Sequence, residues 1–245
     1  MDSGFYAACT ALMSRTEALE TVANNLANTN TAGYRAQHNV FSSVMATARA
    51  SMSPLNQAIN NYGVLGGTRL DMYQGALEHT GNDLDLGIEG PGFFVVQTPT
   101  GRVFTRSGNL QVSAQGQLIT AQGDPIMGEN GVIPVVGGPM SISSDGTISV
   151  GGALAGKIKI VEFPSTAGLQ SVGGTYYTAP RGSDTDATQS HIRQGMLEGS
   201  NVNPVASMVE LISVQRSAEM MQKALSMFHS DMDKLAAQEL PRVNG

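Results

Sequence analysis

Few side chains in this sequence stand where they would do chemistry. Asp83 and Asp85 alternate along a segment that reads as extended, so both carboxylates point to one face as a pair of hard oxygen ligands. A divalent cation takes six or more oxygens, and no third ligand stands in register, so a solvated strand face is the simpler reading. The stretch Gly87-Ile88-Glu89-Gly90-Pro91-Gly92 holds three glycines at the wrong spacing for a dinucleotide fingerprint. It also leads into the apolar run Phe93 to Val96 rather than into a helix whose N-terminus would hold phosphate, so it reads as a turn. No serine occupies a G-x-S-x-G elbow, and Cys9 is the only cysteine, which excludes an intramolecular disulfide and a multi-thiolate metal site. His38, His79, His191 and His229 lie far apart and pair with no carboxylate at zinc spacing. Met208, Met220, Met221, Met227 and Met232 cluster near the C-terminus and suit adaptable helix packing better than copper. The expectation is a chain with no catalytic residues, no cofactor and no metal.

The elements around these residues explain why. Of 29 glycines, 26 lie between Gly63 and Gly199, a density that no long helix tolerates. The runs Phe93 to Val96, Leu118-Ile119, Lys157 to Val161 and Thr175 to Thr178 are short, β-rich and bounded by turn residues. Val112 to Leu118 and Ile142 to Ile148 resemble each other, and both read as hairpins, with Asp145-Gly146 fitting a type I′ turn. The fold class is mainly β, a Gly-rich β domain of many short strands inserted between N- and C-terminal α-helices.

The ends are a different material. Between Phe5 and Asn28 there is neither proline nor glycine, and Phe5, Leu12, Leu19, Leu26 and the residues between them step by three and four along one stripe. The cluster from Asn28 to Gly33 ends that helix; asparagine side chains at Asn24, Asn25 and Asn28 are expected to satisfy backbone groups there, and Gly33 to supply a positive φ. Asn203 is a fitting N-cap, with Pro204 at the first helical position. Beyond it Leu211, Val214, Ala218, Met221, Leu225, Phe228, Met232 and Leu235 alternate in steps of three and four without a miss, the 3.5-residue spacing of a coiled-coil seam. These two seams fit a pair of helices with the β domain inserted between them, the alternative being two helices packed on their own domain's core; the narrow stripe favours the seam, the expected assembly interface, with Pro241 the latest end of the second helix. The organisation that follows is residues 1–35 and 200–240 as a discontinuous helical assembly region, 36–69 as a linker or extended segment, and 70–199 as the β domain.

Composition narrows the function. A net charge of -6 with 14 scattered Lys and Arg disfavours nucleic acid and anionic membrane surfaces. No apolar run approaches the ~18 residues that span a bilayer. Met1 to Gly4 carry no basic stretch, so no cleavable secretory signal is read there and any export would need another route. Only 14% of residues are charged and 5% aromatic, too few rigid rings to line a ligand pocket.

Three blocks carry a resemblance. Asn24-Asn25-Leu26-Ala27-Asn28 with Thr31-Ala32-Gly33-Tyr34-Arg35 resembles the N-terminal signature of the flagellar axial proteins, the rod and hook family. Leu84 to Phe94 with Phe104 to Leu110 is similar to that family's entry into its β domain, and Leu197 to Val202 to its lead-in to the C-terminal helix. Tyr34 to Gln37 and Gly108 to Val112 sit nearest the proximal-rod branch, with the distal rod as near alternative. The resemblance implies a structural subunit of the bacterial flagellar basal-body rod, located in the periplasm-spanning drive shaft. It implies partners among other rod proteins and copies of itself, and delivery by the flagellar export apparatus. A distal-rod or hook-type subunit is the alternative within the family. From another class, the alternative is a periplasmic β-domain enzyme acting on glycans, for which Asp83 and Asp85 are the only candidates.

Overall fold

The computed structural model describes residues 2–42, 64–135, 138–164 and 168–239. The chain divides into two compact units, one made of Met1–Leu26, His38–Thr68 and Pro204–Gly245, the other of Ala27–Gln37 and Arg69–Asn203. The β unit therefore includes residues 27–37, whereas the sequence reading kept residues 1–35 with the helices. Residues 43–63 of the expected linker lie outside the described residues.

In the β unit the largest sheet has six strands in the order Gln170–Gly173, Tyr176–Thr178, Gly101–Thr105, Phe93–Thr98, Ile160–Glu162 and Thr185–Asp186, every neighbouring pair antiparallel. Side chains alternate across a pleated strand, and here both faces are covered. Phe94 and Val96 enter one apolar cluster with Leu86, Leu118, Ile148 and Ile192, while Phe93 and Val95 enter another with Phe104, Phe163 and Tyr177. The second cluster is aromatic: Phe93 meets Phe163 and Tyr177 edge to face at 5.5 and 5.9 Å between ring centroids, and Phe104 meets Phe163 at 4.9 Å. Burial on both faces is why the run from Phe93 to Val96 is continuously apolar rather than alternating.

The two echoed segments are hairpins of one design. Val112 faces Leu118 and Ile142 faces Ile148 across antiparallel ladders. In both, the first serine's N–H bonds four residues ahead (Ser113 to Gln117, Ser143 to Thr147), and the glycine N–H bonds back to the serine carbonyl. The expected type I′ turn is not the one formed. That turn needs positive φ at two successive residues, and no described non-glycine residue has positive φ. Asp145 keeps negative φ, Gly146 alone turns left-handed at 90°, and the Asp145 carboxylate instead accepts from Thr147. The run from Lys157 to Val161 is also not one strand. Ala153–Lys157 belongs to a three-stranded sheet and Ile160–Glu162 to the six-stranded one, with Ile158 donating between them to Gly146.

In the helical unit, the helices are Asp2–Ala27 and Pro204–Glu239. The second starts at Pro204, where a proline suits the first helical position, and is described as far as Glu239; the expected limit at Pro241 lies outside the described residues. Strands Gln37–Ser42 and Val64–Leu70 pair as a two-stranded ribbon. Thr21, on the first helix, donates to the side chain of Asn39 at 3.1 Å. No described helix is long and apolar enough to cross a membrane.

Candidate functional site

On the N-terminal helix the buried stripe is Ala11, Ser14, Ala18, Thr21 and Asn25, again in steps of three and four, with Val22 beside it. Leu12, Leu19 and Leu26 border it, half-buried. On the C-terminal helix Leu211, Val214, Ala218, Met221 and Leu225 are half-buried and most of the rest of the helix is exposed. Val205, Met208, Val209, Ile212, Met220 and Met227 are exposed, on a side of the helix that also carries Arg216 and Lys223. The side chains of Phe5, Phe228, Met232 and Leu235 lie outside the described residues. Cys9 is half-buried on the first helix.

Asn25 is buried, Asn24 exposed and Asn28 half-buried. Asn28 closes the helix end: its carbonyl accepts from the Thr31 N–H and its side-chain oxygen from the Thr31 hydroxyl. From there the chain enters the β unit as a strap, residues 33–36. The Gly33 N–H donates to the Glu198 carbonyl at 2.7 Å, the Arg35 N–H to the Tyr177 hydroxyl at 3.0 Å, and the Ala36 N–H to the Asn201 side chain at 2.7 Å. The Asn201 amide reaches the carbonyls of Asp71 and Tyr73 at 3.0 and 2.9 Å.

Under the strap lies a buried ion cluster. Arg35 Nη2 stands 2.6 Å from Glu198 Oε1, and Arg106 Nη1 3.1 Å from Glu198 Oε2. All three side chains are essentially sealed from solvent. Two guanidiniums share one carboxylate, and the excess positive charge is spread over neutral partners. Arg35 donates to the Tyr73 carbonyl, Arg106 donates to those of Ile88 and Gly90, and Arg106 also stacks 5.0 Å over the Phe93 ring. Burial pulls the Arg106 guanidinium down to about 10, against the opposing pull of Glu198, which leaves it charged at neutral pH. Burial pushes the Tyr177 phenol up to about 12, so it meets the Arg35 N–H as a neutral acceptor. The Gly75 N–H donates to Glu198 Oε1 as well. One residue from each of the three signature blocks thus meets here, and the strands that lead out to both helices are bonded to one another at this point.

Sequence reasoning missed Arg35, Arg106, Glu198 and Asn201 as a unit. The available signal was compositional: with 14 Lys and Arg in 245 residues, Arg35 and Arg106 stand isolated among small and apolar neighbours. Gly33 has the expected positive φ, 73°, and a Cβ there would also land on the backbone of Arg106 and Ser107, so this residue is docked in the β unit. Gly33→Val is therefore expected to lower the melting temperature of the β unit itself, by the equivalent of about 2 kcal/mol or more. Thermal unfolding of the purified chain, followed by a β-sheet signal, checks this; an unchanged midpoint contradicts the docking.

The paired carboxylates separate. Asp83 is exposed, whereas Asp85 is buried and accepts from the Thr80 hydroxyl at 2.7 Å. Among the described residues no cluster of three His, Cys, Asp or Glu side chains is placed to hold a metal.

Three family models match the chain in order. One described as "Flagella basal body rod protein" matches residues 5–35, "Flagellar hook protein FlgE/F/G D1 domain" residues 87–150, and "Flagellar basal body rod FlgEFG protein C-terminal" residues 193–238. Among curated relatives, the flagellar basal-body rod protein FlgF of Caulobacter vibrioides is 31% identical, with both chains covered in full. FlgF of Salmonella typhimurium is 34% identical over 92% of this chain and 94% of its own. FlgG of Buchnera aphidicola (subsp. Acyrthosiphon pisum) is 33% identical over 89% and 92%. The three matched blocks hold the strap, the entry to the sheet and the lead-in to the second helix, and with relatives spanning the full length they place this chain in the flagellar basal-body rod protein family, nearest FlgF with FlgG beside it.

Proposed function

We infer that the chain is a structural subunit of the bacterial flagellar basal-body rod. It assembles with other rod proteins and with copies of itself through its terminal helices, forms part of the drive shaft across the periplasm, and is delivered by the flagellar export apparatus without signal cleavage. It is not an enzyme, and its work needs no cofactor, nucleic acid or membrane insertion. The observation that carries this reading is family membership over the whole length together with a C-terminal helix whose apolar row from Leu211 to Leu225 stays only half-buried. A lone soluble helix rarely leaves such a row part-open to water, and a subunit that stacks on neighbours has a use for it. The half-buried leucines of the first helix offer the same surface. The glycan-hydrolase reading wants two carboxyl groups flanking one bond, and the separation of Asp83 from Asp85 by burial gives it no support.

The test is incorporation. A tagged chain expressed in cells lacking their own copy is expected to co-purify with detergent-extracted basal bodies and to restore swimming. Soluble tagged protein that never enters basal bodies would overturn the reading.

A further inference from the structure

The chain passes between its two units after Leu26, Gln37, Thr68 and Asn203. One side chain of the β unit stands beside the last three of these crossings. Asn201 lies just before Pro204, where the second helix begins. Its Oδ1 accepts from the N–H of Ala36, next to Gln37, at 2.7 Å. Its Nδ2 donates to the carbonyls of Asp71 and Tyr73, just past Thr68, at 3.0 and 2.9 Å. Its own N–H donates to the Tyr34 carbonyl at 3.4 Å.

A primary amide offers two hydrogens and one accepting oxygen, and here each is taken by a backbone group on a different part of the chain. The backbones so joined also meet directly. The Asp71 N–H donates to the Ala36 carbonyl and the Gly199 N–H to that of Ala76, both at 2.8 Å, while Gly75 lies so close to the Gly199 carbonyl that a Cβ has no room there. Burial separates this joint from the ion cluster beneath it. Glu198 is sealed and balances buried charge, whereas Asn201 is half-buried, where water replaces lost hydrogen bonds at modest cost. The fold of the β unit therefore depends on Glu198, and the spacing of the leads that leave it depends on Asn201.

We propose that Asn201 is the positioning residue that ties these leads together, so that torque put on the β unit passes along all of them at once. The inference rests on the rod-subunit reading. A single backbone swivels about two soft dihedrals per residue, and untied leads would each turn on their own. Leads joined at one amide share the load.

The test is hydrogen exchange on the full-length chain, read at single amides. Asp71 is the reporter, because its N–H bonds to the Ala36 carbonyl and that acceptor stays in place when the Asn201 side chain is removed. In Asn201→Ala it is expected to exchange about tenfold faster, with strands Phe93–Thr98 and Gly101–Thr105 unchanged. The melting temperature should fall by less than half as much as in a Glu198→Ala variant. Asn201→Asp keeps the shape and the acceptor for Ala36 but sets a carboxylate against two carbonyls, and should quicken Asp71 at least as much. In cells lacking their own copy, both variants are expected in basal bodies at wild-type number, with swimming slowed. A residue of merely structural use would lose melting temperature, copies and swimming together. Wild-type exchange at Asp71 in either variant overturns the proposal, as do core strands that quicken in step with it, a melting loss of half or more of the Glu198→Ala fall, lost copies, or wild-type swimming at full copy number. Absence of the wild-type chain from basal bodies is instead a failure of the rod reading, and the exchange result then judges the joint alone.

Discussion

Leu225→Asp is expected to abolish incorporation into the rod while leaving a soluble chain with a normal β-sheet spectrum. Leu225 is the last described residue of the half-buried row on the C-terminal helix, with Met221 one turn before it. Truncating a buried leucine costs about 2–5 kcal/mol, and aspartate adds an unpaired carboxylate that must be desolvated or protonated, several kcal/mol more. In a repeating assembly that penalty recurs at every contact. The β unit is formed by Ala27–Gln37 and Arg69–Asn203, so the substitution lies outside it. Lys223→Asp is the control, two residues away and exposed, where a charge change alters stability by about 0.5 kcal/mol or less. Quantifying each variant in purified basal bodies checks the pair. Wild-type incorporation of Leu225→Asp refutes the seam, and equal failure of both variants refutes its register.

Glu198→Ala is expected to produce the largest loss of β-domain stability of any single surface-neutral substitution proposed for this chain. Removing the carboxylate leaves the guanidiniums of Arg35 and Arg106 buried and facing each other without a counter-charge, and orphans the Gly75 N–H. Breaking a buried pair by deleting one partner costs about 3–5 kcal/mol, and three groups depend on this one. For a domain of roughly 150 residues each kcal/mol moves the melting temperature by about 2–4 °C, so a fall of about 10 °C is expected. Glu198→Gln keeps the shape and an acceptor but not the charge, and should fall between that and wild type. The half-exposed pair Arg193 and Glu89, 2.8 Å apart, is the comparison, since Arg193→Ala should cost no more than about 1 kcal/mol. A Glu198→Ala midpoint within 2 °C of wild type, by about the same conversion, would show that the cluster contributes little.

What was legible in the sequence was local. Pro204 and the 3.5-residue spacing marked the second helix because both act within a turn or two. The two hairpins were visible because Gly116 and Gly146 take positive φ, yet the turn type at Asp145 was not, since a four-residue loop and a two-residue loop share the same Asp-Gly pair. Lys157 to Val161 reads as one run because apolar alternation continues across a point where the backbone changes sheets. On the first helix, hydropathy points to Leu12, Leu19 and Leu26, while close approach buries Ala11, Ser14 and Ala18, and no hydropathy pattern encodes how near a partner comes. The clamp was illegible for a further reason. Its charges stand at positions 35, 106 and 198, and only the fold reveals that the two isolated arginines share one carboxylate.

The strap also sets a timetable. Ala36 bonds to Asn201 across 165 residues of sequence, and Arg35 to Tyr177 across 142. Contacts of such range carry a loop-closure cost before any reward, and they make folding slow. The carboxylate of Glu198 and the amide of Asn201 that receive the strap are among the last parts of the domain to be made, so in a chain emerging N-terminus first the strap stays without its partners until Asn201 has appeared, and its closure is a late event of synthesis.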